Sequence, residues 1–272
     1  MGGVPLLIHG DVGLASGEIH HRGDVKIDGS LLPGGQVRAE GDLHITGNVT
    51  SATTEVTGNL TVDGIVSGST TILDAIGRIR VLHALDAKLL AGQDIIVEAA
   101  AERCQLHAGG EILLSGPPGL LRGGTARARR GVTAARIEAG GGEPARIEIG
   151  GRVFAEDPEE LEQRLAFARK HTVQTKISLG DSPEAYRRGL AGLRSYRRLA
   201  RTLGHRLRQL RAADAPSDVP LLRVTGCEPV SALVHLGPDA HQADLPPHGP
   251  FEIGLTSDGP MNRPLEEVAC EQ

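Results

Sequence analysis

The sequence predicts a mainly β protein. It reads as a single-stranded, right-handed parallel β-helix with 17–18-residue turns, followed by an antiparallel coiled-coil hairpin and a short β tail. Three observations predict it. One phrase is repeated, as Gly23-Asp24-Val25-Lys26-Ile27-Asp28-Gly29, Gly41-Asp42-Leu43-His44-Ile45-Thr46-Gly47 and Gly58-Asn59-Leu60-Thr61-Val62-Asp63-Gly64. Its apolar–polar alternation between glycines writes a short strand between turns, and its fixed period writes a solenoid. Aromatics are 2% of the chain, Trp is absent, and 28 of the 37 glycines precede Phe154, as a narrow aliphatic tube with many corners requires. Two stretches after Phe154 open with helix-start signals, Asp157-Pro158-Glu159-Glu160 and Ser182-Pro183-Glu184.

The solenoid can be followed in order. Gly10-Asp11-Val12 is a shortened first copy, and later copies begin at Gly77-Arg78, Gln93-Asp94 and Gly110-Glu111. The second residue of the phrase falls at 24, 42, 59, 78, 94 and 111. Another strand-like stretch precedes most copies (37–39, 55–57, 88–90 and 105–108), and a third apolar point follows at Val49 and Ile65-Val66. Three short strands per turn describe a triangular coil. Val25 and Ile27, or Leu43 and Ile45, point inward, while Lys26, His44 and Thr61 face solvent. Glycine is expected at the corners for its freedom to take positive φ. Residues 122–128, 131–139 and 144–150 read as the last turns, and residues 4–150 give about eight turns, a rod of about 40 Å at ~4.8 Å per turn.

In the first helix Leu161, Leu165, Ala168 and Thr172 form a short seam. In the second, Leu193, Tyr196, Ala200, Leu203, Leu207 and Leu210 follow the heptad rhythm over about 28 residues. After Ala215-Pro216, residues 222–224, 232–236 and 251–255 alternate as strands, and the remainder reads as loop. The expected division is 1–153 β-helix, 154–213 hairpin and 214–272 β segment with an acidic tail, which packs back on the β-helix or hairpin.

Cys104, Cys227 and Cys270 have neither zinc nor disulfide-framework spacing and read as incidental thiols. No secretory signal or membrane-length apolar run is found, so a cytoplasmic protein without a transmembrane segment is expected. Nucleophile-elbow, phosphate-loop and zinc-protease motifs are missing. The period breaks the six-residue register of hexapeptide acyltransferases, and polysaccharide lyases would need carboxylates and aromatics this chain lacks. The chain therefore reads as non-enzymatic, with no catalytic residue, cofactor or metal.

Asp24, Asp42, Asn59, Asp94 and Glu111 recur at one position of the repeat, which offers either a cation-binding ladder or turn residues bonding their own backbone. The latter is favoured, because Arg78 interrupts the row. His20, His21, His44, His83 and His107 read as surface residues. Charge is more informative. The balance is −3 over residues 1–153, +6 over 154–213 and −8 over 214–272, giving the net −5. Arg187, Arg188, Arg194, Arg197, Arg198, Arg201 and Arg208 of the second helix form the candidate partner-binding set. The favoured expectation is that the acidic tail and the Glu-rich start of the first helix neutralise them. The alternatives are nucleic acid or an anionic membrane surface, and an acidic protein partner.

The order of parts resembles the flagellar assembly protein A (FapA) family. Gly41-Asp42-Leu43-His44-Ile45-Thr46-Gly47, Gly123-Gly124-Thr125-Ala126-Arg127-Ala128 and Ile147-Glu148-Ile149-Gly150, together with the helical hairpin, carry the resemblance. The solenoid phrase alone is also similar to bactofilins, which polymerise as β-helices. The FapA resemblance implies a bacterial cytoplasmic scaffold or recruitment factor, in some members for polar flagellum assembly, working through protein partners or self-association. Two departures stand out: the family usually carries a further domain ahead of the solenoid, not seen here, and a Pro-Gly where this chain has Pro229-Val230. The runner-up is a polymerising bactofilin-like cytoskeletal element.

Overall fold

The computed structural model describes residues 4–151, 153–154, 158–177, 183–213, 221–237, 241–246, 248, 250–256 and 259–265. It is a mainly β solenoid of about eight turns, with two helices and antiparallel strands near the C-terminus. By chain contacts it divides into one unit of residues 1–153 and 212–272 and another of residues 154–211.

Three faces make each turn. The first stacks Leu6–His9, Val25–Asp28, Leu43–Ile45 and the leading halves of Leu60–Ser67, Ile79–Leu85 and Ile95–Glu102, continuing through Glu111–Leu114 and Gly131–Ala134. The second runs from Glu18–His21 to Ala145–Ile149 as a separate parallel sheet. The third begins as bridges linking Val12, Leu31 and Val49, takes the trailing halves of the long strands, and ends at Leu120–Arg122 and Arg136–Glu138. The long strands turn a corner without breaking, at a register shift between Val81 and His83.

The alternation read from the sequence sets the core. Val25, Leu43, Leu60, Ile79, Ile95, Ile112 and Val132 lie in register on successive turns of the first face, and each is at most 2% exposed. On the second face Ala39, Val56, Ala75, Ala91, Ala108 and Ala128 form a small-residue column, all buried. Filling a narrow interior with aliphatic side chains leaves no void for a ring.

The tail extends both sheets. Leu221–Val224 pairs in parallel with Gly131–Ala134, and Ala232–Leu236 with Ala145–Ile149. The direction then reverses: Phe251–Thr256 lies antiparallel on Leu221–Val224, and His241–Ala243 antiparallel on Ala232–Leu236. Phe251, buried opposite Val224, sits where the tube closes and can take a ring. The outermost described strand, Gly259–Pro264, replaces the loop expected there; it carries Pro260 and Pro264, which an edge strand tolerates because one side of its ladder pairs with no other described strand.

Helix α1 (Pro158–Ile177) and helix α2 (Pro183–Ala213) form the other unit. Each starts with proline at its first position, where a missing N–H costs nothing. Leu161 and Leu165 cluster with Leu203 and Leu207, and His171 further along α1 meets Tyr196 further back on α2, so the two pack antiparallel. At 20 residues α1 is longer than its short seam suggested.

Candidate functional site

The repeated acidic position is structural, though not as expected. Asp24 Oδ1 accepts the backbone N–H of Asp42 at 2.9 Å, Asp42 Oδ1 that of Asn59 at 2.7 Å, and Asn59 Oδ1 that of Arg78 at 3.0 Å. Asp94 Oδ1 accepts from Glu111 at 3.0 Å. Each side chain bonds the next turn's backbone rather than its own, stapling one coil to the next. A second corner does the same through Asp11, Ser30 and Asn48, whose acceptors take the N–H groups of Ser30, Asn48 and Ile65. One oxygen of each of these side chains serves the next turn's backbone, so the row is a ladder of acceptors, and among the described residues no cluster of three metal-binding side chains occurs.

The ladder also corrects the expected role of the phrase's glycines. Gly41, Gly58, Gly77 and Gly110 are not among the positive-φ residues. A Cβ on them would lie 2.2, 2.1, 2.6 and 2.1 Å from the ladder oxygens of Asp24, Asp42, Asn59 and Asp94. Glycine is required there for space, not for conformational freedom. Arg78 ends the first run because it has no acceptor to pass on; its Nε turns to Asp94 Oδ2 at 3.0 Å, and Arg130 reaches Asp94 Oδ1 at 2.6 Å.

Many charges on the outward faces are answered one turn away. Arg80 pairs with Glu98, Arg103 with Asp86, Arg127 with Glu148, and Arg38 with Glu18 and Glu55. On the third face His83, Glu102, Arg122 and Glu138 alternate in contact along the stack. The Arg103 fork holds the Asp86 carboxyl below its usual range, and Glu138 raises the Arg122 guanidinium. His44, read as outward, stands 2.7 Å from Asp63. In the sequence these pairs are visible only as opposite charges about one period apart. Each exposed pair contributes a fraction of a kcal/mol, ~0.2–1.

Helix α2 differs. Arg194, Arg197, Arg198, Arg201 and Arg208 are exposed, and at 100° per residue they fall within about a third of the helix circumference. Among the described residues none of the five makes a hydrogen bond or ion pair. The side chains of Arg187 and Arg188 lie outside the described residues. Of the expected internal neutralisation, the described residues show Arg211 bonded to Glu162 at 2.7 Å, and most carboxylates of the acidic tail lie outside the described residues. Arg206 is used within the hairpin, bonding Gln209 and lying 5.4 Å over the Phe154 ring.

Cys227 departs from the expectation of incidental thiols, and Cys104 fits it. Cys227 is disulfide-bonded. Cys104 is free and buried, and desolvation pushes its thiol up to about 11 from 9.0. A buried neutral thiol of that kind is inert. Among the described residues, no helix is long and apolar enough to cross a membrane.

A three-faced β-solenoid stapled by side-chain ladders and carrying a pair of antiparallel helices defines the class of protein. The family model of the Flagellar Assembly Protein A beta solenoid domain matches residues 5–215, and the chain belongs to the FapA family. No curated protein and no solved structure matched it.

Proposed function

We propose that this protein is a non-enzymatic scaffold of flagellar assembly, in which the solenoid is framework and α2 recruits a protein partner. In domain terms, 1–153 with 214–272 is the frame and 154–213 the displayed element. One observation supports it above the others: many wall arginines are answered one turn away and those that are not, such as Arg136 and Arg146, are scattered, whereas five arginines gathered on one helix face have no partner among the described residues. Ionic recognition speeds and orients docking while adding little to the protein's own stability. Affinity capture with wild type and an Arg194→Glu, Arg197→Glu, Arg201→Glu variant tests it. Loss of a reproducible partner in the variant is expected, and an unchanged set of captured proteins would remove the reading.

The same five cations favour a second reading, nucleic acid or an anionic membrane surface. The net charge of −5 and the absence of aromatic stacking residues in the row count against a long polyanion. Failure to retard duplex DNA at low salt would remove the nucleic-acid form. A polymerising, bactofilin-like element is disfavoured because, among the described residues, the C-terminal end carries antiparallel strands whose outermost member holds Pro260 and Pro264, a common way of blunting an edge. A cytoplasmic location belongs to the proposal. The disulfide at Cys227 weighs against it, since the cytosol keeps most thiols reduced, and cell fractionation decides.

A further inference from the structure

The arginine row of α2 has a period of its own. Arg187, Arg194, Arg201 and Arg208 stand seven residues apart without interruption. Leu193, Ala200 and Leu207 repeat at the same interval one residue earlier, and Leu207 is buried in the cluster with Leu161, Leu165 and Leu203. The row thus borders the seam by which α2 already packs on another helix. A seven-residue spacing drifts by only ~20° per repeat around a straight helix, so the row stays aligned with a neighbour that crosses at a shallow angle. From Arg194 to Arg208 it spans about 21 Å at 1.5 Å per residue.

The chemistry of the row is equally specific. All nine basic residues of α2 are arginine, whose planar fork matches a carboxylate with two parallel bonds, whereas lysine offers only a point charge. Partly exposed Leu190 lies in the arc of the row between Arg187 and Arg194, and recognition along residues 194–208 is mainly ionic. The exposed neighbours Ser195 and Thr202 are small and let a second backbone approach. The rest of the chain is acidic, −3 over 1–153 and −8 over 214–272, which repels an extended polyanion more than a short segment confined to α2.

Building on the reading of α2 as a docking face, we infer that its occupant is an acidic helix of a protein partner, with Glu or Asp repeating every seven residues over three to four turns of the repeat. Such a helix meets Arg194, Arg201 and Arg208 in succession, with Arg187 continuing the row, and Arg197 and Arg198 flank it.

Fluorescence anisotropy with labelled synthetic peptides tests this on the full chain. The probe is a helix-forming peptide of about four heptads with Glu at every seventh position. Its controls are a scrambled peptide of equal composition, duplex DNA and phosphatidylserine vesicles. Wild type is expected to bind the patterned peptide at least ~10-fold more tightly than the scrambled one. Arg194→Glu with Arg201→Glu is expected to weaken it at least ~10-fold, and the equal charge change at Arg169→Glu with Lys170→Glu to alter it less than ~2-fold. Circular dichroism confirms that both variants remain folded. Equal binding of the two peptides overturns the inference, as does arginine-dependent binding of DNA or vesicles without the peptide. If the arginine variant still loses its captured partner while the peptides fail, only this inference falls; if capture is also unchanged, the docking reading falls with it.

Discussion

The solenoid wall and helix α2 are both rich in charge, yet they use it in opposite ways. On the wall, Arg80, Arg103, Arg122 and Arg127 each meet a carboxylate 16 to 21 residues away, one turn along. On α2, Arg194, Arg197, Arg198, Arg201 and Arg208 have no such partner among the described residues. Much of the wall's charge is paired along the repeat, because every residue has an equivalent about 4.8 Å away on the next turn and like charges there would repel. On α2 these five side chains are exposed, although His205 in the same arc is buried. The gathering of unanswered cations on α2, in contrast to the scattered unpaired Arg136 and Arg146 of the wall, is what the docking proposal rests on.

The comparison breaks most visibly at a corner. Gly58→Ala puts a methyl 2.1 Å from Asp42 Oδ1 and 2.7 Å from Gly41 O. It displaces the bond to the Asn59 N–H and overpacks the corner, for an expected loss of about 3–5 kcal/mol in urea unfolding. A cost below ~1 kcal/mol would show that the ladder does not hold the turns together. On the helical side, Leu203→Ala, in the cluster with Leu161, Leu165 and Leu207, is expected to cost about 2–4 kcal/mol. Far-UV circular dichroism should show the helical signal melting early while the β signal persists.

Cys104 sharpens the wall side through pH. Its folded-state value, about 11, lies above the ordinary 9.0, so the native state holds the proton more tightly than the unfolded chain does. Its contribution is complete below the unfolded value and is lost as pH rises from there through the folded one. Wild type should lose up to about 3 kcal/mol more than Cys104→Val across that alkaline window, and parallel curves would contradict the burial assigned to it. The smallest effect belongs to the arginines. Reversing Arg194 and Arg201 should change stability by less than about 0.5 kcal/mol, as for exposed residues without partners.

The solenoid was legible because its signal is local and repeated. The alternation of Val25, Ile27, Leu43 and Ile45 is enough to place them in columns. The cause of the Gly-Asp pair was not legible, since the oxygen that excludes a Cβ at Gly58 belongs to Asp42, a full turn earlier. The strand at Gly259–Pro264 was hidden by its prolines, which only its place at an edge makes acceptable. For α2, the sequence showed how many arginines there are and which apolar residues make the seam. Whether those arginines were neutralised depended on where the carboxylates fold to, and no periodicity encodes that.

The central claim is that binding resides in α2 and not in the wall, and one experiment separates them. Partner capture and thermal melting are measured side by side for wild type, for Arg194→Glu with Arg201→Glu, and for a wall variant that exchanges the charges of Arg80 and Glu98. The account predicts that the helix variant melts like wild type and captures nothing specific, while the wall variant keeps its partner. Retention of the partner by the helix variant, or its loss from the wall variant alone, would contradict it.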